Sequence, residues 1–286
     1  MSFLRNLKGD EVDALTIEDI KHLDDKGYVV KENFFSKMDA HNLSHHIRRL
    51  LSLISTPEAK EKLKNHMWTK PSERKGHMGI YFFIIDNHEF GRVCFDDQLA
   101  HPAYLSTVPQ EQINKSNVTF VEKRGGRGWD VGQYRITYPT GDWSQKDKFN
   151  GLRIPEAGPI IELLNNFYED EYYLSSIQVL VSDSLENTMH LHRDTTETAG
   201  QNKKMKAFIY LTHVNDPHDG PYSYVEGTHK DYNLKESDGQ TIAFLGSAGT
   251  LILSNQNGLH RGQPQKQGRS RIMFVLNLFQ KDRDSS

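Results

Sequence analysis

The last 115 residues of the chain are built from short apolar segments separated by turn-forming residues. From residue 172 helical periodicity disappears, and strand-sized runs alternate with Gly, Pro, Asn and Asp. The predicted strands cover residues 173–181, 205–211, 222–226, 241–244, 250–253 and 271–279. Many short strands with turns between them are typical of a β-sandwich or β-barrel. We therefore expect a mainly β fold.

Residues 1–171 have a more helical and loop-rich texture. Thr16 and Asp19 resemble a capping box at the start of a helix over 17–26, which ends at Gly27. A short β-branched strand is expected over 28–30. These patterns predict helices that flank the β-rich part on its amino-terminal side.

The remainder of this part is predicted from periodicity and from turn residues. Apolar residues at helical spacing indicate a second helix that begins at Ser36. The further expected elements are an exposed helix within 58–75, strands over 79–85 and 131–138, and a helix that opens at Pro155. Residues 86–127 are expected to form long loops with short helical pieces, including a flexible basic loop over 122–127.

Nothing in the sequence divides the chain into separate units. No repeat, low-complexity tract or Pro/Gly/Ser-rich linker is present. We expect one domain over 1–286, in which residues 1–171 support and cover a β core over 172–280 that carries the functional site.

Charge and cysteine content limit the class of protein. The 35 basic and 38 acidic residues nearly balance, which gives no reason to expect nucleic acid as a partner. The single cysteine, Cys94, rules out an internal disulfide and favours a reducing compartment. The charged amino terminus is unlike a signal peptide, and no apolar run approaches 18 residues. We expect a cytoplasmic protein without a membrane partner. The sequence contains no pattern that indicates an oligomeric state.

The chemistry-bearing residues lie in the second half. His192 and Asp194 form an H-x-D pair, and His260 follows Asp194 by 66 positions. In an extended segment residues i and i+2 point the same way, so His192 and Asp194 are expected to share a face. Two imidazoles and one carboxylate can hold one face of a ferrous ion and leave the other open. His190 shares this parity, but we exclude it because a third contiguous ligand would strain the geometry.

Several downstream segments give the H-x-D pair its context. They are the Y-L-T strand at 210–212, G-P at 220–221, E-G-T-H-K at 226–230, His260, and an arginine 11 residues after His260. Together with H-R-D at 192–194, and in this order, the succession resembles the phytanoyl-CoA dioxygenase-like family of iron- and 2-oxoglutarate-dependent oxygenases. The specific motifs fall between residues 192 and 279.

The resemblance implies a fold and a set of ligands. The fold is a double-stranded β-helix, a jelly roll or cupin-like barrel with flanking amino-terminal helices. Fe(II) is bound by His192, Asp194 and His260, and 2-oxoglutarate and O2 are the co-substrates. Arg271 holds the far carboxylate of 2-oxoglutarate through a fork-like pair. Arg269 has the same strand parity and competes for that role, but it lies closer to the preceding loop.

The expected activity is oxidation of a small molecule with release of succinate and CO2. Asp194 is retained, which disfavours halogenation and leaves hydroxylation as the default outcome. Desaturation, demethylation and ring formation use the same site. Two other hypotheses stay open, a non-catalytic jelly-roll binding protein and a cupin-type metal enzyme without a keto acid. Substrate specificity is expected to come from loops within 70–155 and 195–204. The sequence of these loops does not indicate a particular substrate.

Six further residues receive interpretations from the sequence. His229, in E-G-T-H-K, is expected to close a turn rather than to bind a metal. Gln178, on the strand before the H-x-D pair, is a candidate for orienting the co-substrate. Four tyrosines are interpreted as ordinary strand aromatics, namely Tyr172, Tyr173, Tyr222 and Tyr224.

Overall fold

The computed structural model describes residues 12–53, 79–85, 92–94, 118–124, 133–138, 148–149, 151–183, 190–195 and 204–281. Its α-helices within these ranges are α1 (Ile17–Lys26), α2 (Lys37–Leu53) and α3 (Gly158–Tyr168). A 3₁₀ turn spans Glu236–Asp238. In the described part of the chain no helix is long and apolar enough to cross a membrane.

Most of the regular structure is β-strand. The strands are β1 (Tyr28–Lys31), β2 (Gly79–Ile85), β3 (Arg92–Cys94), β4 (Val118–Arg124), β5 (Gln133–Tyr138), β6 (Lys148–Phe149), β7 (Leu152–Arg153), β8 (Tyr172–Asp183), β9 (Lys204–Tyr210), β10 (Tyr222–Val225), β11 (Thr241–Ala243), β12 (Leu251–Asn255), β13 (His260–Gly262) and β14 (Ser270–Gln280). The expectation of a mainly β fold with a few helices near the amino terminus is confirmed.

The strands form two principal sheets in which every described pairing is antiparallel. The large sheet has the order β1-β12-β9-β14-β8-β5-β4-β2-β3, and the small sheet has the order β11-β10-β13. Of the nine strands described in the large sheet, β1 to β5 come from before residue 172. The first part of the chain therefore extends the sheet itself, as well as supplying helices. That residues 1–286 form one domain stays a prediction.

Side chains alternate between two apolar layers along the central strands of the large sheet. One face of β9 and β14 packs with the three helices, and Ile209, Phe274 and Leu276 lie in that layer. The other face turns toward the small sheet, and its layer includes Phe208, Tyr210, Tyr222, Tyr224, Met273 and Val275. We call the space lined by this second layer the inter-sheet interior. Because strand residues alternate, Lys206 and Arg271 share its face.

The start of the chain folds as its sequence predicts. The Thr16 side chain accepts a hydrogen bond from the backbone N–H of Asp19, and the Asp19 carboxylate accepts one from the backbone N–H of Thr16. Gly27 ends α1 in the left-handed conformation, with φ of 89°. β1 follows at once and pairs with β12 at one edge of the large sheet.

The helix predicted to open at Pro155 begins three residues later, at Gly158. A start at Pro155 would place Pro159 beyond the first turn. There its ring would clash with the carbonyl four residues back, and its missing N–H would leave a helical hydrogen bond unmade. Starting at Gly158 keeps Pro159 within the first turn, where no intrahelical donor is required.

Two other expectations are wrong. Loops with helical pieces are expected over residues 86–127, but the described parts of this range are β3 and β4. Residues 122–124 belong to β4 and pair with both β2 and β5. The charges of this segment obscure a strand that is held by pairing with a neighbour on each side. Likewise His260, expected in a loop, is the first residue of β13. The predicted helix within 58–75 lies outside the described residues.

Gly249 joins the segment before α2 to the large sheet at a point of close approach. It has φ of +92°, and a Cβ placed there would lie 2.0 Å from the backbone oxygen of Phe35. The Phe35 N–H donates to the Gly249 carbonyl over 3.0 Å. Any side chain at this position must therefore push two backbone segments apart.

We predict that Gly249→Ala lowers the free energy of unfolding by more than about 2 kcal/mol, because left-handed strain and backbone overlap act together. Gly151→Ala is the matched control, since Gly151 has φ of +77° but a Cβ placed there would meet no described atom within 4 Å. That control is expected to cost about 1 kcal/mol. Chemical denaturation measures both, and equal losses would contradict the close approach.

Candidate metal centre

His192, Asp194 and His260 come together at one end of the inter-sheet interior. Their ligand atoms all lie within 4.8 Å of one another. Asp194 Oδ1 is 3.7 Å from His192 Nε2 and 3.9 Å from His260 Nε2. His190 lies outside this group. The three side chains converge although 66 residues separate Asp194 from His260.

Backbone pairing brings the two histidines together. His192 and His260 form an antiparallel β-bridge in which each N–H donates to the other's carbonyl, over 3.1 and 3.0 Å. The next contact along the chain is from the Asp194 N–H to the Gln256 carbonyl, at 3.1 Å. The ring centroids of the histidines lie 4.4 Å apart. The histidine positions are therefore set by backbone hydrogen bonds, before any ligand is bound.

Each imidazole is oriented through its Nδ1 atom. His192 Nδ1 lies 2.8 Å from the His190 carbonyl oxygen, and His260 Nδ1 lies 3.0 Å from that of Gly258. A carbonyl only accepts, so Nδ1 carries the proton in both rings. Nε2 is then the ring nitrogen available to a metal, and in both residues it faces Asp194. Metal-binding histidines are commonly held in this way by a carbonyl behind the ring.

The electrostatics suit a cation. Burial lowers the pKa of His260 to about 3, so its ring is neutral near pH 7. Burial by itself raises the pKa of Asp194, but the positive charges of Lys206 and Lys204 lower it below its usual range, and the carboxylate is ionised. Two imidazoles and one carboxylate are the donor set of a facial metal triad with open positions. The residues present thus fit a divalent metal.

Arg271 is a buried cation with incomplete partners. Its side chain is on the inter-sheet face of β14, and the residue is 3% exposed. One Nη atom donates to Ser182 Oγ over 3.3 Å, whereas Nε and the other Nη have no hydrogen-bond partner among the described residues. An unpaired buried charge costs several kcal/mol, so such a site is suited to an anion.

The alternative arginine lies elsewhere. Arg269 precedes β14, its side chain is 53% exposed, and it forms an ion pair with Asp219 over 3.1 Å. Strand parity alone does not separate the two arginines. The first residue of β14 separates them. Pairing with β8 begins at Ser270, so Arg271 lies within the strand and faces the interior, whereas Arg269 lies before it.

Two tyrosines connect Arg271 with the histidines. The Tyr210 hydroxyl accepts a hydrogen bond from the Tyr222 N–H over 3.3 Å and donates to the Phe244 carbonyl over 2.8 Å. The Tyr222 ring lies 5.6 Å from the ring of His260. The sequence offered a signal for them in the alternation of β9, which puts Tyr210 on the same face as Lys206. The interpretation of Tyr222 as an ordinary strand aromatic overlooked its place in the inter-sheet layer.

Arg193, the middle residue of H-R-D, has a role that no sequence pattern indicated. Its guanidinium donates to four backbone carbonyls, those of Thr228, Asn257, Asp231 and Leu234, at 3.2, 3.0, 3.4 and 2.7 Å. It also lies 5.0 Å from the centre of the Tyr232 ring. One side chain thus ties the segment with His192 and Asp194 to the turn that precedes His260.

The last two residues of the E-G-T-H-K segment brace α1. His229 Nε2 lies 3.0 Å from the Asp24 carbonyl, and Lys230 pairs with Asp25 over 2.9 Å. His229 is expected to close a turn, but the contact of its ring is with α1. Gln178 lies on β8 opposite Val275, which places it on the inter-sheet face. Residues 196–203, which belong to a loop expected to contribute to specificity, lie outside the described part.

Comparisons with known proteins support the fold. No family model and no curated protein matches the sequence. Among solved structures, the non-heme alpha-ketoglutarate-dependent epimerase SnoN from nogalamycin biosynthesis is similar, with a TM-score of 0.54, 13% identity and coverage of 91% of this chain and 81% of that one.

Two further structures have a similar fold. AviO1 from Streptomyces viridochromogenes has a TM-score of 0.53 at 11% identity and covers 96% of this chain and 98% of its own. EvdO2 from Micromonospora carbonacea var. aurantiaca, complexed with 2-oxoglutarate, has a TM-score of 0.54 at 11% identity, with coverage of 95% and 93%. At such identities the likeness shows a shared fold alone.

The low pKa of His260 predicts how stability depends on pH. In the unfolded chain histidine binds a proton near its ordinary pKa of 6.5, but folded His260 binds one only near pH 3. The unfolded state then holds more protons between these values, so acidification favours unfolding. Asp194 has a lowered pKa too, but its effect begins only below its ordinary pKa of 3.8.

We therefore expect the metal-free protein to lose about 1.5 kcal/mol more stability than His260→Gln between about pH 6.5 and pH 5. Urea denaturation at both pH values measures the difference. The variant's own loss of stability cancels, because each protein is compared with itself. If the two proteins lost equal stability over this pH range, His260 would bind a proton as readily in the folded state as in the unfolded state.

Proposed function

We propose that this protein is an Fe(II)- and 2-oxoglutarate-dependent dioxygenase of the phytanoyl-CoA dioxygenase-like type, with a double-stranded β-helix core. The observation that supports this most strongly is the presence of two complementary half-sites in one interior. One is the His192–Asp194–His260 group, which suits a metal. The other is the buried, incompletely paired Arg271, which suits a carboxylate.

In this proposal each residue has a defined task. His192 and His260 bind iron through Nε2, since Nδ1 of each is engaged by a carbonyl. Asp194 binds through Oδ1, the oxygen that faces both rings. Arg271, assisted by the Ser182 hydroxyl, holds the far carboxylate of 2-oxoglutarate through charge-assisted hydrogen bonds. When bound, iron and 2-oxoglutarate together activate O2 as the keto acid is decarboxylated to succinate.

The interior also controls the environment of the reaction. Tyr210, Tyr222 and Met273 are buried and lie on the inter-sheet face between Arg271 and the histidines. Such a lining excludes bulk water and strengthens the electrostatic interactions of the anion with Arg271. A small molecule is the proposed substrate, and a cytoplasmic location, inferred from the single cysteine, belongs to the same proposal.

Hydroxylation is the proposed outcome. Asp194 occupies the carboxylate position, which leaves no place for a halide ligand. The fold does not determine the outcome, since SnoN is described as an epimerase. Desaturation, demethylation and ring formation thus remain alternatives within the same proposal, and product analysis distinguishes them.

The decisive experiment is turnover of 2-oxoglutarate. We expect protein reconstituted with Fe(II) to form succinate in the presence of O2, even when slow and uncoupled from a substrate. His192→Ala is expected to abolish this activity, because one metal ligand is lost. His218→Ala, at an exposed histidine away from the group, is the matched control and is expected to be unaffected. Absence of metal and 2-oxoglutarate binding in calorimetry would favour a non-catalytic binding protein instead.

The two arginines offer a second test. We expect Arg271→Met to weaken 2-oxoglutarate binding to the Mn(II)-loaded protein by about thirtyfold or more, since a buried charge pair is worth about 2 kcal/mol or more. Arg269→Met removes a half-exposed ion pair and is expected to change binding by less than about threefold. Unchanged activity of Arg271→Met at low 2-oxoglutarate would point to a metal enzyme without a keto acid.

A further inference from the structure

Lys206 contacts the metal group although it is not one of the three proposed metal ligands. Its ammonium group forms a direct hydrogen-bonded ion pair with Asp194 Oδ2. Asp194 Oδ1 faces the two Nε2 atoms instead. The two oxygens of one carboxylate are thus divided between a lysine and the position where a metal fits.

We propose that Lys206 is a positioning residue that leaves only Oδ1 of Asp194 to the metal and thereby keeps coordination positions open for 2-oxoglutarate. This inference rests on the proposed function and deepens it. A carboxylate can bind a metal through one or both of its oxygens. With Oδ2 engaged by Lys206, the second mode is disfavoured, and the position it would take stays available.

The backbone around Lys206 makes it suitable for this role. It lies within β9 and is paired on one side with Ser254 of β12 and on the other with Asn277 of β14. Its position is therefore held by the centre of the large sheet, whereas Asp194 follows a short isolated bridge. A rigid strand that orients a ligand on a less regular segment is the usual arrangement of supporting residues around a metal.

Lys204 provides an internal comparison. It lies two residues away on the same face of β9, and its Nζ is 3.9 Å from the same Oδ2 atom. That distance is too long for a hydrogen bond but close enough for a charge interaction. The pair therefore separates the effect of a directed hydrogen bond from the effect of a nearby positive charge.

Binding of 2-oxoglutarate is a clearer readout than binding of the metal. Removing Lys206 frees Asp194 but also removes a positive charge that repels a divalent cation, so the two effects on metal affinity are hard to separate. For a dianionic keto acid both effects weaken binding, and the effect of charge is measured separately with Lys204→Met, which removes a nearby charge but no hydrogen bond to Asp194. Loss of positive charge weakens its attraction to the site, and a two-oxygen aspartate competes for the position it needs.

The experiment measures 2-oxoglutarate binding to Mn(II)-loaded protein by calorimetry and the visible charge-transfer band of the anaerobic Fe(II)–2-oxoglutarate complex. We expect Lys206→Met to weaken binding by about tenfold or more and to diminish or shift the band. Lys206→Arg keeps the charge and a donor and is expected to restore both to within about threefold. Lys204→Met is expected to stay within about threefold of wild type, with the band unchanged.

The outcomes separate this inference from the function on which it rests. Wild-type protein that binds neither metal nor 2-oxoglutarate would overturn the proposed function. Wild-type protein that binds both, together with a Lys206→Met variant of equal affinity and unchanged band, would overturn the positioning role alone. Should Lys206→Met not fold, Lys206→Gln, which lacks the positive charge, replaces it. A Lys206→Gln variant with the same 2-oxoglutarate affinity and the same band as Lys206→Arg would overturn the role proposed for the ion pair.

Discussion

The candidate site depends on the two backbone hydrogen bonds between His192 and His260. They join segments that are far apart in the chain and bring two imidazoles close together, with Nε2 directed inward. Asp194 N–H, bonded to the Gln256 carbonyl, extends this join by one more contact. Arg193 then secures it from outside through four carbonyls. Without this short bridge, no backbone hydrogen bond would hold His260 next to His192.

Charge held away from solvent is the second constraint, and the fold treats the charges of Asp194 and Arg271 differently. The carboxylate of Asp194 is offset by Lys206, which is anchored in the central strand β9. The guanidinium of Arg271 is offset only in part, by Ser182. One charge is therefore satisfied within the chain and the other requires a ligand. This difference is what makes the interior suited to a bound anion at one place and to a metal at another.

The local elements were largely predictable because their signals are local. The Thr16 capping box and Gly27 define α1, and the alternation of β9 and β14 follows from their own residues. Where strands were predicted as loops, pairing with other segments decided the structure. β4 is a strand because β2 and β5 flank it despite its charges, and His260 is in a strand because β10 and His192 pair with it. In α3 the reason is local but was overlooked: the helix begins after Pro155 because Pro159 lies ahead.

The sequence by itself determined the mainly β character, the candidate ligand types and the parity that places His192 with Asp194, since these depend on residue identity and a period of two. Only the tertiary structure decided which arginine enters the interior. Arg269 and Arg271 share parity, but β8 pairs with the strand only from Ser270 onward. It also revealed Lys206 and Arg193 at the metal group. Their roles arise from hydrogen bonds between segments 12 to 64 residues apart, a relation that no local pattern encodes.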